Sequence, residues 1–302
     1  MTHPSSSPPV NSSRPAEAAT PPTDLLAHTI LGATDTPDTT VILAHGIMGS
    51  RRNWRSFGQR WVTNRPGLRV VIVDLRGHGD SHGLPGRSTV SACAGDLLRL
   101  DAHLQHDADT AAPTETTATI LVGHSFGGKV CAAAAKRWPR PLHQLWVLDS
   151  PLGVRSDDRG VSDVEAVIAA VQALPMPVTQ RSDVAKALLS QGFSAALANW
   201  MTTNLRRSDT GYVWRFDLDV VAALLADYFV QDHWPSFSFP QAGTRHMMVR
   251  GARSDRWVTA DLERLRALQH AGRARDFELP DAGHWLHADN PSGLLNLVLT
   301  HA

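Results

Sequence analysis

Disulfide chemistry has little to work with in this chain. Of 302 residues only Cys93 and Cys131 are cysteines, and both sit in apolar surroundings without metal-ligand spacing, so they read as core thiols. An excess of one charge is missing too: 29 Lys and Arg stand against 29 Asp and Glu, a formal net charge of zero. With no block of like charge, nothing draws a nucleic-acid backbone or an anionic membrane surface to this protein. No uninterrupted apolar run approaches the ~18–20 residues that a bilayer span needs, and no apolar stretch follows a basic one at the N-terminus. The expectation is a soluble, cytoplasmic protein with no nucleic-acid partner and no stable membrane insertion. Internal repeats are absent, which excludes solenoids and propellers. A phosphate-cradling Gly-x-x-x-x-Gly-Lys-Ser/Thr loop is absent as well.

What is present is a globular composition, 42% hydrophobic and 19% charged, enough for one large core or two small ones. Residues 1–23 are rich in Pro, Ser, Thr and Ala and poor in large apolar groups, and read as a disordered leader. From there, short apolar runs at 40–44, 68–74, 118–122, 145–148, 246–249 and 275–279 alternate with amphipathic stretches such as 89–105, 126–138, 260–270 and 291–301. That alternation predicts βαβ units, a parallel sheet and an α/β fold class. The interval 151–243 breaks the rhythm. It reads as helices at 162–173, 183–190, 193–204 and 218–229 without a central strand, and predicts a helical cap inserted between the two parts of a core, 24–150 and 244–302.

The strand at 118–122 runs into Gly123-His124-Ser125-Phe126-Gly127 and then an Ala-rich helix. A serine hydroxyl is a poor nucleophile unless it is held exposed beside a base. Gly-x-Ser-x-Gly between a strand and a helix provides the sharp turn that does this, with small residues allowing close approach. Ser125 is therefore the candidate nucleophile. Acyl transfer also needs donors aimed at the oxyanion. His45-Gly46-Ile47-Met48-Gly49 ends the strand at 40–44, so the amides of Ile47 and Phe126 are the candidate oxyanion hole. His284, in Gly283-His284-Trp285, follows the last predicted strand at the carboxyl edge where parallel sheets place their sites, and is the candidate base. His287 reads as a polar residue at the start of a helix. His45, His78 and His124 lie inside turn motifs and read as structural, as do Arg76 and Asp80 in the polar loop from Asp74 to Ser81.

Four motifs come in one order: His45-Gly-x-x-Gly49, Asp74-Leu-Arg-Gly-His-Gly79-x-Ser81, Gly123-His-Ser-Phe-Gly-Gly128 and Gly283-His284. In order and spacing they resemble the α/β-hydrolase superfamily from about Leu25 to the C-terminus. Within it, Gly49-Ser50-x-x-Asn53-Trp54, Lys129 and Val213-Trp214-Arg215-Phe216-Asp217-Leu218 resemble small bacterial acyl esterases and mitochondrial abhydrolase-domain relatives. The resemblance implies an eight-stranded, mostly parallel sheet with a helical cap, and no cofactor or metal. An aspartate nucleophile, as in haloalkane dehalogenases or epoxide hydrolases, is disfavoured because Ser125 occupies that position.

A carboxylate must accept from the far nitrogen of His284, and two aspartates stand at strand ends. The superfamily commonly uses the later position in the form Gly-x-x-Asp, but here that spacing lands on Ser254 and Asp255 is one residue further on. The closer esterase relatives use the earlier position, which is Asp149. Asp149 is preferred and Asp255 is the alternative acid. Trp200, Trp214 and Trp234 in the cap, with Trp54 and Trp285 beside the site loops, are candidate walls of an apolar acyl pocket. The expected activity is hydrolysis of a small-molecule carboxylic ester or thioester through an acyl-enzyme. The scaffold also serves lactonases, acyltransferases, C–C hydrolases, cofactor-free perhydrolases and non-catalytic ligand binders. The oligomeric state is left open.

Overall fold

A computed structural model describes residues 24–33, 37–108, 117–155 and 161–302; the leader expected over 1–23 lies outside them. In chain order the elements are β1 (His28–Gly32), β2 (Thr39–Ala44), α1 (Arg51–Asn64), β3 (Leu68–Val73), α2 (Val90–Ala108), β4 (Ala118–His124), α3 (Phe126–Ala135) and β5 (Gln144–Leu148). Then follow α4 (Val161–Gln172), α5 (Arg181–Ser190), α6 (Ala195–Thr203), β6 (Leu205–Ser208), β7 (Gly211–Trp214), α7 (Leu218–Val230) and α8 (Trp234–Ser238). The chain closes with β8 (Arg245–Gly251), α9 (Thr259–His270), β9 (Arg275–Leu279), α10 (Leu286–Asp289) and α11 (Pro291–His301).

The main sheet has the order β1-β3-β2-β4-β5-β8-β9. β1 pairs antiparallel with β3, and every other pair is parallel. Parallel strands buried on both faces alternate between two cores. Val41 and Leu43 of β2, Ile120 and Val122 of β4, and Trp146 and Leu148 of β5 meet Trp54, Phe57 and Trp61 of α1 and Leu294, Leu295 and Val298 of α11. On the other face Ile42, Leu121, Leu145 and Val147 pack against residues of α2, α3 and α9. Removing a fully buried tryptophan such as Trp61 from such a layer costs about 3–5 kcal/mol.

The sheet has seven strands among the described residues, not the eight that the resemblance implied. β1, which the hydrophobic pattern missed, takes the edge beside β3, and no described strand pairs with its outer side. α1 was missed because only Trp54, Phe57, Gly58 and Trp61 are buried in a helix otherwise rich in Arg. Between β5 and β8 the four expected helices are present, together with a short antiparallel hairpin, β6 and β7, and the small helix α8. Their inward faces form a third apolar cluster that includes Met48 from the loop after β2.

The parallel register aligns the carboxyl ends of the strands at one edge. Ala44 lies opposite both Val73 and Gly123, and His124 opposite Leu148. Close approach at this edge depends on glycine: a Cβ on Gly127 would lie 2.5 Å from the His45 carbonyl oxygen and 2.6 Å from that of Ala44. Overpacking against backbone, which cannot rotate away, predicts that Gly127→Ala lowers the unfolding free energy by about 1–3 kcal/mol. Urea unfolding measures it; a variant as stable as the parent would contradict the close packing of β2 on α3.

Candidate active site

Ser125 occupies the N-cap of α3 with φ 53° and ψ −120°. A non-glycine residue held there costs about 1–3 kcal/mol and persists only where its surroundings enforce it. Its N–H donates to the Leu148 carbonyl at 2.9 Å, and its carbonyl accepts from Gly128 N–H at 2.8 Å. β5, α3 and the turn thereby fix one another. His284 arrives from the loop between β9 and α10, with Nε2 at 3.0 Å from Ser125 Oγ.

Asp149 follows β5, is fully buried, and also has a positive φ of 46°. Its Oδ2 accepts from His284 Nδ1 at 2.7 Å and from Ser254 Oγ at 2.6 Å. Its Oδ1 accepts from Trp257 Nε1 at 2.8 Å and from the Gly251 amide at 3.1 Å. Four donors satisfy a carboxylate that burial alone would make costly. Carrying its proton on Nδ1 toward Asp149, the imidazole presents a lone pair on Nε2 to the serine. Asp255 is elsewhere: its side chain is 78% exposed, with Oδ1 at 3.3 Å from Arg256 Nε. The one-residue offset is explained by Ser254, which stands at the Gly-x-x position and supports Asp149 instead. Ser254 and Trp257 were not singled out in the sequence; the misplaced Gly-x-x-Asp was the signal that could have found Ser254.

Of the other four histidines near the site, His45, His78 and His124 are buried and His287 is half-buried, and desolvation is the first cause that keeps them neutral. His45 is pushed down to about 4, donates from Nδ1 to the Gly46 carbonyl at 2.7 Å and accepts the Leu75 amide on Nε2 at 3.0 Å. His78 is pushed down to about 3, donates to the Arg76 carbonyl at 2.9 Å and accepts the Met48 amide at 3.0 Å. His124, held well below its usual value, donates Nε2–H to the His284 carbonyl at 2.8 Å and so steadies that loop. His287, pushed down to about 4, stacks on Trp54 with ring centroids 4.1 Å apart. Arg76 pairs with Asp96 and Asp80 with Arg51, the structural network expected of that loop.

A cavity of about 400 Å³ opens above Ser125 and is lined by Ile47, Phe126 and His284 on the sheet side. Among the described residues neither the Ile47 nor the Phe126 amide has a protein acceptor. Trp54, Trp200 and Trp285 line the cavity, together with Phe193, Leu225 and Phe229 from the inserted segment. Trp214 and Trp234 do not. The first stacks on Phe216 at 5.2 Å inside the third cluster, and the second lies in the core with Nε1 donating to Asp261 at 3.2 Å. Lys129, one turn into α3 and fully buried, donates to the Gly153, Tyr228 and Gln231 carbonyls at 2.8, 2.8 and 3.1 Å. It thereby ties α3 to the start of the insertion and to the end of α7, and burial pulls its pKa down to about 7. No group of His, Cys, Asp and Glu suited to a metal ion occurs among the described residues. Both cysteines are buried, which pushes their thiols up and away from reactivity.

The model of the alpha/beta hydrolase family matches residues 41–297. The chain belongs to that family. Among its relatives, the sn-1-specific diacylglycerol lipase ABHD11 of Mus musculus is 30% identical over 264 residues, covering 85% of this chain and 79% of that protein. Esterase YbfF of Escherichia coli K12 is 22% identical over 258 residues, covering 85% and 91%. A marine microorganism esterase of known structure superposes with a TM-score of 0.73 at 22% identity, covering 92% of this chain and 99% of that one. The hydrolase of E-2-(acetamidomethylene)succinate superposes at 0.70 and 19% identity, covering 91% and 94%. These superpositions agree with the α/β-hydrolase fold. No helix of this alpha/beta hydrolase among the described residues is long and apolar enough to cross a membrane.

Geometry separates the two candidate acids by spectroscopy alone. A hydrogen bond to a buried carboxylate moves the His284 Nδ1 proton resonance to low field. It is expected to be retained in Asp255→Asn and lost in Asp149→Asn; the reverse pattern would contradict the pairing.

Proposed function

We propose that this protein is a serine hydrolase that cleaves a carboxylic ester or thioester through an acyl-enzyme on Ser125. The observation that carries the reading is the single imidazole bridging Ser125 Oγ and the buried Asp149 carboxylate at 3.0 and 2.7 Å. The names of the relatives, a lipase and an esterase, support the ester class.

Ser125 Oγ attacks the carbonyl carbon while His284 Nε2 takes its proton. The imidazolium that forms is stabilised by Asp149, which accepts from Nδ1 without itself taking the proton. Charge collects on the carbonyl oxygen, and the Ile47 and Phe126 amides, having no protein acceptor to give up, donate to it with little reorganisation. As the tetrahedral intermediate collapses, His284 returns the proton to the departing alcohol or thiol. Water then enters, His284 takes a proton from it, and attack on the acyl carbon releases the acid and restores Ser125.

The segment α4 to α8 is read as a lid whose aromatic face completes the acyl pocket. A cavity of about 400 Å³ walled by Trp54, Trp200, Trp285 and Phe193 suits an acyl chain of modest length. Lactonase, acyltransferase and perhydrolase chemistry would use the same serine; the names of the lipase and esterase relatives support water as the acceptor, and a relative in Saccharomyces cerevisiae, 24% identical over 269 residues, is named a probable alcohol acetyltransferase. A cytoplasmic setting is kept as part of the proposal and is consistent with two buried, unpaired thiols.

Ser125→Ala is expected to lose about 10⁴-fold or more in kcat while its melting temperature stays near that of the parent. A fluorophosphonate probe is expected to label Ser125 in the parent. p-Nitrophenyl and acyl-CoA esters of graded chain length then give the substrate range, with turnover falling once the chain outgrows the cavity. Ester hydrolysis retained by Ser125→Ala would overturn the assignment.

A further inference from the structure

The turn that carries the Ile47 amide does not hold itself. Gly49 N–H closes it onto the Gly46 carbonyl at 3.0 Å, and Met48 adopts a positive φ of 55°, which a β-carbon disfavours. The Met48 N–H leaves the turn altogether and donates to His78 Nε2 at 3.0 Å. His78 is fully buried, and its Nδ1–H is already committed to the Arg76 carbonyl at 2.9 Å, so the tautomer leaves Nε2 as an acceptor. With the amides on that side engaged by Gly46 and His78, the Ile47 N–H is left to face the cavity.

The same imidazole belongs to a loop that seats the inserted segment. His78 forms a backbone bridge with Phe216, and Asp217 N–H donates to the Gly77 carbonyl at 2.8 Å. The Met48 side chain packs in the cluster beneath that segment with Trp214, Phe216, Val221 and Leu225. One short path of contacts therefore joins the segment to the turn: Phe216 to His78, His78 to the Met48 amide, and Met48 to Ile47.

We infer that His78 is a positioning residue of the reaction. By accepting the Met48 amide it sets the direction of the Ile47 N–H toward the oxyanion, and it couples that donor to the seating of the cap. The inference rests on the reading of Ser125 as nucleophile and Ile47 as oxyanion donor. His78 touches no reacting atom, so its loss acts on the transition state through Ile47 and leaves ground-state binding alone.

Two polar substitutions separate the two hydrogen bonds of the ring. Gln at 78 can place an acceptor where Nε2 lies but gives up the bond to Arg76, whereas Asn can keep the donor to Arg76 and gives up the acceptor for Met48. The readouts are kcat and KM for p-nitrophenyl butyrate and the Ki of a trifluoromethyl ketone, whose tetrahedral adduct places an oxyanion in the hole. His78→Asn is expected to lose about tenfold or more in kcat with KM within about twofold, and Ki is expected to weaken by the same factor. Complete loss of an oxyanion donor, at about 10²–10³, sets the upper bound. His78→Gln is expected to stay within about threefold of the parent, since the Met48 bond is kept. Equal losses in the two variants, a loss confined to KM, or an unchanged Ki would overturn the inference. Should the Asn protein fail to fold by circular dichroism, His78→Ala, which gives up both bonds, is compared with His78→Gln: a loss of about tenfold or more in kcat in the Ala variant alone supports the role, and equal kcat in the two refutes it. Ser125→Ala is assayed alongside. If it still turns over the ester, the functional reading fails and this inference with it; an inactive Ser125→Ala with indistinguishable His78 variants overturns this inference alone.

Discussion

The backbone of Ser125 sits in a conformation that no free serine would choose, and the site is organised around what keeps it there. β4 delivers the chain to the turn and α3 carries it away. The turn amide is bonded to the end of β5, so the serine cannot relax without breaking the alignment of two central strands. Glycine at 127 allows α3 to lie against the backbone of β2. The same packing brings the loop after β2, with its Ile47 amide, to the cavity beside Ser125. A strained residue and an amide from 78 positions earlier are thus placed by one set of backbone contacts.

Burial then sorts the polar groups that the fold gathers at this edge. Five histidines approach one another, yet only His284 reaches the serine and a carboxylate together. His45, His78, His124 and His287 are desolvated, stay neutral, and hold loops or rings in place. Asp149 escapes the penalty of burial because the Gly251 amide at the end of β8 and Ser254 and Trp257 in the loop after it reach the carboxylate. Those three donors also aim its carboxylate, so the orientation of His284 is set from a third element of the sheet. Lys129 extends this logic to the inserted segment: a buried amine donating to three carbonyls ties the insertion to the helix that Ser125 caps.

Ser125 and His284 were legible in the sequence because their chemistry is written in local spacing: a strand, a glycine-flanked serine and a helix, then a Gly-His after the last strand. The acid was legible only as a preference for Asp149 over Asp255, since the contacts that separate them involve Ser254 and Trp257, more than a hundred residues away from Asp149. Six sheet strands could be read from continuous apolar runs, whereas β1, half exposed at the edge, and α1, rich in arginine, carry too weak a pattern. The helices of the inserted segment showed in their periodicity, but periodicity does not say which tryptophan faces the cavity, so Trp214 and Trp234 were placed there although they pack elsewhere.

The central claim is chemical: one hydroxyl, raised on a strained turn and served by one imidazole, carries the acyl group between substrate and water. It is tested most directly by quenching the protein in acid during turnover of a slowly deacylated ester and mapping the added mass by peptide mass spectrometry. The account predicts a single acyl adduct on the peptide containing Ser125, formed at the rate of the initial product burst. An adduct on another residue, or steady turnover with no adduct and no burst, would contradict it.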